Sequence, residues 1–409
     1  MKATYLGAIA LVALIAGSRS HPVLPPAPAP RALPPLAHGS FALVGVHVLS
    51  MKDQPVARNQ TIVVRNGIIA EIGPAEAVAV PEDAERIEAA GRFVVPGLMD
   101  MHVHLREEDV AGYLGSGVTT VRNMWGDSQT AVLRARAAKG ETVPTIFSAG
   151  PGLDGNPPVW PSSVVLTSAD QAAPEVAREV AAGWDFIKVY NRLEPAVYHA
   201  ILAAARAEGV PVVGHVPLAI RLEEAMAGGQ ASIEHMTGIA EAAGGGRSPQ
   251  GWTRIDRGVV APIASRLARS RVSVCPTLVI LANMARHSLT PADAALAREN
   301  QAYVVAAMHQ AGVRLIAGTD AGLVDAVPAG ESLISELELF VRAGLTPLEA
   351  LRTATTEAAA FLGIDSLVGS IEVGKRADLV VLLGNPLDNI AALRNPAAVI
   401  LGGRILNPH

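Results

Sequence analysis

In the stretch "VVPGLMDMHVHL", residues 94–105, His102 and His104 stand two positions apart at the end of an apolar run. Alternate residues of a strand share a face, so both imidazoles project together, as holding a metal ion requires. Four more polar residues stand in or at the ends of apolar runs. They are Lys188 in "DFIKVY", His215 ending "VPVVGH", His235 ending "ASIEH" and Asp320 ending "RLIAGTD". Singly, each has a bland reading: a hydrogen-bonded histidine, a lysine at a rim, a helix-capping aspartate. Together they place four imidazoles, an amine and a carboxylate at comparable points of five separate runs. Imidazole and carboxylate suit a divalent first-row ion, most often zinc. An ammonium is repelled by such an ion, but burial disfavours the ammonium form. The freed amine can add carbon dioxide, and each oxygen of the resulting carbamate can bind one of two metals.

The other histidines do not share this placement. His199, His287 and His309 sit in helix-like or loop stretches, His21, His38 and His47 precede the metal-bearing runs, and His409 is terminal. The single cysteine, Cys275, supports neither an internal disulfide nor a thiolate metal site.

What must position the six residues is a set of strands. Short apolar runs recur at 94–99, 118–123, 144–149, 185–190, 211–215, 231–235, 272–277 and 314–319. Segments of helical composition, such as "EPAVYHAILAAARAEG", separate most of them. Eight β runs alternating with helices predict an α/β fold, a (β/α)8 TIM barrel over residues 94–366, with active residues at the C-terminal strand ends. Val- and Ile-rich segments at 41–93, punctuated by turn signals such as Asn66-Gly67, and others at 367–409 read as strands. Each is too small to bury a core alone, so the two are expected to form one split β-sandwich domain.

The chain opens with "MKATYLGAIALVALIAGS": a basic residue, a short apolar run, then Ala16 and Ser18 at cleavage-site spacing. Residues 1–18 are expected to be a signal peptide, giving an exported protein, periplasmic or secreted. Residues 19–40 are proline-rich and read as an extended linker. The net charge of −5 on 409 residues gives no reason to expect nucleic acid or an anionic membrane surface as partner. No stable membrane span is expected once the leader is removed, and a homo-oligomer is left open.

These motifs ("HVH" after "VPGLMD", "IKVY", "GH", "EH", "GTDAG" and the terminal "GSIEVGKRADLVVL") resemble the amidohydrolase superfamily. Within it the chain looks most like the prolidase and imidazolonepropionase-related branch, over nearly all of residues 41–405. The resemblance implies two divalent metal ions, as a rule zinc, bridged by hydroxide and by N6-carboxylysine at Lys188. It implies His102, His104 and Asp320 as ligands of the more buried ion and His215 and His235 as ligands of the other. Asp320 would also shuttle the proton from the attacking hydroxide to a leaving nitrogen. Relatives often read "VRD" where this chain has Asn123, and often carry a histidine where it has Ile334.

Two residues are candidates for substrate contact. Tyr190, two beyond Lys188, should share its face. Its phenol could bind a substrate carboxylate or carbonyl, or merely pack at the rim. Arg122 could bind a carboxylate with its fork of donors, or serve in a structural ion pair. The glycine-rich "TGIAEAAGGGRSPQGW" after the sixth run could be a mobile lid or a substrate-contacting loop. The expected activity is metal-dependent hydrolysis of a small-molecule amide, of the dipeptide or N-acyl amino acid class. A cyclic amide, an aryl amide such as a toxin, or a lactone are the alternatives. A non-catalytic scaffold relative is a further one, opposed by the completeness of the ligand set.

Overall fold

The computed structural model describes residues 33, 39–52 and 56–406. The expected leader at 1–18 and almost all of the proline-rich segment therefore lie outside the described residues. Among the described residues no helix is long and apolar enough to cross a membrane.

Strands from both ends of the chain share one sheet. The N-terminal part gives β1 (Phe41–Val48), β2 (Ala57–Arg65), β3 (Ile68–Pro74), β4 (Glu85–Glu88) and β5 (Phe93–Pro96). The middle of the chain gives β6 (Leu98–Val103), β7 (Val118–Asn123), β8 (Thr145–Ser148), β9 (Leu153–Asp154), β10 (Val164–Val165), β11 (Ile187–Val189), β12 (Val212–Gly214), β13 (Ser232–Glu234) and β14 (Ser273–Cys275). The C-terminal part gives β15 (Leu379–Leu382), β16 (Pro396–Leu401) and β17 (Arg404–Leu406). The outer sheet runs β17-β16-β15-β5-β1-β2-β3, with β4 also on β1. Its two halves join where β5 pairs antiparallel with β15.

Asn66-Gly67 makes the two-residue turn of the β2–β3 hairpin, with φ of 50° and 74°. Such paired positive φ values are what an Asn-Gly turn supplies. Gly67 is also where the two chain ends touch, because a Cβ there would lie 2.5 Å from the carbonyl oxygen of Gly402. Gly67→Ala is therefore expected to destabilise the fold by more than about 1 kcal/mol, since it adds both a clash and a disfavoured φ. Urea unfolding would read this as a lowered midpoint; an unchanged midpoint would mean that the contact yields freely.

The middle strands are parallel and alternate with helices, among them Ser128–Ala138, Pro195–Glu208, Arg257–Ser270 and Glu331–Arg342. They form the sets β6-β7-β8 and β10-β9-β11-β12-β13-β14. Isolated parallel bridges extend the pairing: Ala149 with Phe186, Val274 with Leu315, and Val103 with Ala321. Both faces of these strands are buried, which is why they read as continuous apolar runs. Ile187, Val189, Val212 and Ile233 pack in the main core with the helices. Phe186, Val213 and Cys275 fill a second, inner cluster. Lys188 alternates with the first group and so points to the inner side, together with Phe186.

Two of the expected runs are drawn differently. The run at 94–99 divides: Val94 and Val95 pair with β15 in the outer sheet, whereas Leu98 pairs with Val118. Pro96 has no N–H to continue a ladder, and at Gly97 a Cβ would meet the Thr119 hydroxyl at 2.2 Å. The change from the outer sheet to the parallel strands thus falls at Pro96-Gly97. The run at 314–319 forms no regular strand. Its backbone instead lies against His102, where only glycine fits at 318, since a Cβ there would be 2.7 Å from the His102 nitrogen.

Candidate metal centre

Five of the six residues lie at the C-terminal ends of parallel strands or just past them, and Asp320 follows the loop that packs on β6. His102 is in β6 and His104 one residue beyond it; Lys188 is in β11; His215 and His235 directly follow β12 and β13. Ligand atoms of His102, His104 and Asp320 all lie within 4.8 Å of one another. Asp320 Oδ1 is 3.1 Å from His102 Nε2 and 3.0 Å from His104 Nε2. The His235 ring is 4.6 Å from that of His102 and 5.0 Å from that of His215. Lys188 is only 1% exposed, and its charge is felt by His104, His215 and His235.

The backbone bends to bring these groups together. His235 has φ of 57°, Thr277 of 51° and Asp320 of 65°. Left-handed conformations cost non-glycine residues about 1–3 kcal/mol each and cluster at functional sites. At His235 the positive φ breaks strand alternation, so that Glu234 and His235 both reach the surroundings of His102.

Hydrogen bonds fix the protons on three imidazoles. His102 Nδ1 lies 2.8 Å from Glu234 Oε2, and an ionised carboxylate can only accept. His235 Nδ1 lies 2.6 Å from Thr277 Oγ1, whose own proton goes to the Pro276 carbonyl, so the imidazole donates. His215 Nδ1 lies 2.8 Å from Asn191 Oδ1, again an acceptor. Each ring therefore carries its proton on Nδ1 and a lone pair on Nε2. The buried Nε2 atoms of His102 and His215, and Asp320 Oδ1, have no hydrogen-bond partner. Buried orphans of this kind, two neutral nitrogens and a carboxylate oxygen, are donors that fit a divalent cation.

Burial lowers the basicity of the site. It pushes the Lys188 ammonium down to about 8, against the attraction of Asp320 and Glu234. It pushes His235 down to about 3, His215 well below its usual value, and His104 downward. For Asp320 burial works upward, but the imidazoles of His102 and His235 and the close approach of His104 outweigh it, holding the carboxyl well below its usual range. Glu234 is held down to about 2 because Arg122 and His102 overcome its burial.

Arg122 is fully buried beneath the cluster, in the ion pair that was one of its two expected uses. Its guanidinium donates to Glu234 at 2.9 and 3.0 Å, to the Ser232 hydroxyl at 2.9 Å and to the Met101 carbonyl. With that fork spent, its expected contact with substrate has no free donor face; it acts on the site through Glu234 and through the effect of its charge on Lys188. Tyr190 stands at the mouth, its ring 4.1 Å from His215, its oxygen accepting from Trp160 Nε1 at 2.9 Å. Asn123 is spent on Leu105, Trp125, Thr130 and Ser148, and Ile334 is buried. His47, His199, His287 and His309 pair elsewhere. His21, His38 and His409 lie outside the described residues.

Four residues near the site escape the strand-end pattern: Glu234, Thr277, Asn191 and Trp125. Trp125 packs edge-on to Tyr190 at 5.7 Å, with Lys188 Nζ 5.1 Å from its ring. Glu234 and Arg122 carry a readable signal, a charge inside an apolar strand. Thr277, Asn191 and Trp125 lie in loops and carry none.

A model of the amidohydrolase family matches residues 93–406. The imidazolonepropionase of Acidiphilium cryptum (strain JF-5) is 27% identical over 382 residues, 84% of this chain and 91% of that protein. The dihydroorotase of Trichlorobacter lovleyi is 54% identical, but over 46 residues that span 11% of this chain and 10% of that protein. A candidate prolidase from Bifidobacterium longum superposes with a TM-score of 0.75 at 27% identity, covering 90% of this chain and 94% of that one.

Proposed function

The chain belongs to the amidohydrolase family, and from that premise we propose that it is an exported, binuclear metal-dependent hydrolase cleaving the amide bond of a dipeptide or N-acyl amino acid. The observation that carries this reading is the convergence of His102, His104, Lys188, His215, His235 and Asp320, with unpartnered buried atoms facing one another. The parallel pairings, read as one closed ring, make the scaffold a (β/α)8 barrel. The outer sheet, folded over its own apolar cluster, is its split β-sandwich companion. Export is proposed from residues 1–18 alone.

In this reading His102, His104 and Asp320 would hold one ion and His215 and His235 the other, with Lys188 as its carbamate supplying oxygen ligands to both. When bound, two such ions lower the pKa of a water toward about 7 and polarise the scissile carbonyl. Glu234, Asn191 and Thr277 hold the imidazoles in the donor tautomer, as outer partners of metal-ligating histidines do. Arg122 holds Glu234 ionised. Asp320 takes the proton of the attacking water and delivers it to the leaving nitrogen, which cannot depart as an amide anion. Tyr190, whose oxygen already accepts from Trp160, keeps its O–H to donate to a substrate carboxylate or carbonyl.

The prolidase likeness favours a dipeptide. The aromatic wall of Trp125 and Tyr190 favours a second reading, an aryl amide, since a flat ring stacks there. A screen of the pure protein on dipeptides, N-acyl amino acids, aryl and cyclic amides and lactones tests both. Release of a free amino acid is expected, lost on chelation and restored by zinc. Activity on lactones alone would replace the amidase reading. Absence of bound metal, with no activity recovered on adding zinc, would leave a scaffold.

A further inference from the structure

We propose that Arg247, from the glycine-rich loop after β13, is a positioning residue that sets the tautomer of His215 through Asn191. The inference rests on the metal-site reading above and concerns one of its ligands. Arg247 Nη1 donates to Asn191 Oδ1 at 2.6 Å, and the same oxygen lies 2.8 Å from His215 Nδ1. A guanidinium can only donate. It therefore turns the Asn191 amide so that its oxygen, not its nitrogen, faces the pair. The oxygen in turn obliges His215 to donate from Nδ1, which leaves the lone pair on the buried Nε2 that has no partner. With the guanidinium gone, nothing forbids the amide from turning over. Its Nδ2 would then face His215, draw the lone pair to Nδ1 and put the proton on Nε2, where a metal could not bind.

The rest of the Arg247 side chain fixes its aim. Nη2 donates to the carbonyl of Val216, the residue after His215, at 2.9 Å, and Nε donates to Glu241 Oε1 at 2.6 Å. Glu241 Oε2 accepts from the Gly238 nitrogen at 2.8 Å, so the loop closes on itself around the arginine. The loop is also close-packed: a Cβ at Gly251 would meet the Gly246 carbonyl oxygen at 2.3 Å. Of the two roles open to this segment, lid or contact loop, the geometry points to a third, a clamp that supports the His215 side of the site. Lysine has a single charged nitrogen and cannot span Asn191, Glu241 and Val216 at once.

The test compares wild type with Arg247→Met, which keeps the aliphatic stem, and Arg247→Leu, which serves if the first does not fold. Imidazole nitrogen NMR on the metal-free protein reads the His215 tautomer. Zinc competition against a chelator reads the affinity of each ion. Wild type is expected to show a single Nδ1–H tautomer at His215. The variants are expected to show a mixture, with the weaker zinc lost or bound about 10–100-fold less tightly, and added guanidinium should restore part of both in Arg247→Met. A folded variant with only the Nδ1–H form and wild-type zinc affinity would overturn the proposal, even if its melting temperature had fallen. Wild type that binds fewer than two zinc ions, with the tautomer still changing in the variants, would sink the two-metal reading and leave this one standing.

Discussion

Lys188→Ala is expected to lose at least one metal ion per chain and to cut hydrolysis by more than about 100-fold, since even outer partners of metal ligands cost 10–100-fold when removed. The reason lies in what surrounds the amine. Lys188 is almost wholly buried, flanked by the Trp125 and Tyr190 rings, and its charge is felt by three histidines. Burial lowers its pKa to about 8, so about a tenth of the side chain is the neutral amine at pH 7, far more than for an ordinary lysine. That amine can attack carbon dioxide: a C–N bond forms, one proton leaves, and a carbamate with two free oxygens results. Alanine supplies neither oxygen. Metal analysis and turnover of the same preparation check this together. Carbon-13 NMR after incubation with labelled bicarbonate should show a carbamate signal in the wild type that is missing from the variant. A short carboxylic acid diffusing into the vacated space should restore part of the activity. Full activity and two ions in Lys188→Ala would show that the carbamate bridge is not needed.

How far the sequence discloses this arrangement depends on what kind of signal each residue leaves. His102, Lys188 and His215 are polar interruptions near one end of apolar strands, so periodicity alone predicts a shared face; His235 is as visible, but its left-handed φ rather than strand alternation turns it toward His102. Asp320 is as visible in sequence, yet its segment pairs only through bridges at Leu315 and Ala321. There the close approach of Gly318 to His102, rather than a strand ladder, carries the carboxylate to its place. Arg122 was legible as a charge inside an apolar strand but not in its use, because whether a guanidinium meets solvent or a buried carboxylate depends on Glu234, over a hundred residues away. Asn191, Thr277 and Arg247 left no pattern at all. Their parts follow from loop geometry, including the left-handed φ at Thr277 and His235, which no strand or helix period encodes. The outer sheet was legible in composition and in its Asn66-Gly67 turn. The placing of Phe93–Pro96 within it was not, since an apolar run gives no sign of where one sheet ends and another begins.

Asp320→Asn separates holding a metal from moving a proton. Asparagine has the shape of aspartate and, like it, tolerates a left-handed backbone, so φ of 65° at this position imposes no new strain. The backbone hydrogen bond from the Asp320 nitrogen to the His102 carbonyl, at 2.7 Å, is also kept. What changes is the charge and the basic oxygen. In the native protein the surrounding imidazoles hold the carboxyl well below its usual range, so it is ionised at neutral pH and can accept a proton. An amide oxygen is far less basic and cannot store a proton between the attack of water and the departure of the amine. It still offers a lone pair to a cation, as His102 and His104 continue to do. The variant is therefore expected to bind zinc near normally or somewhat more weakly, while kcat falls by about 10²–10⁴-fold, the usual worth of a positioned acid–base group. The loss should be smaller for amides whose leaving amine is weakly basic, because such a group needs its proton less. Turnover of Asp320→Asn close to wild type would remove the carboxylate from proton transfer. A loss in kcat that follows the loss of zinc one for one would reduce its role to that of a ligand.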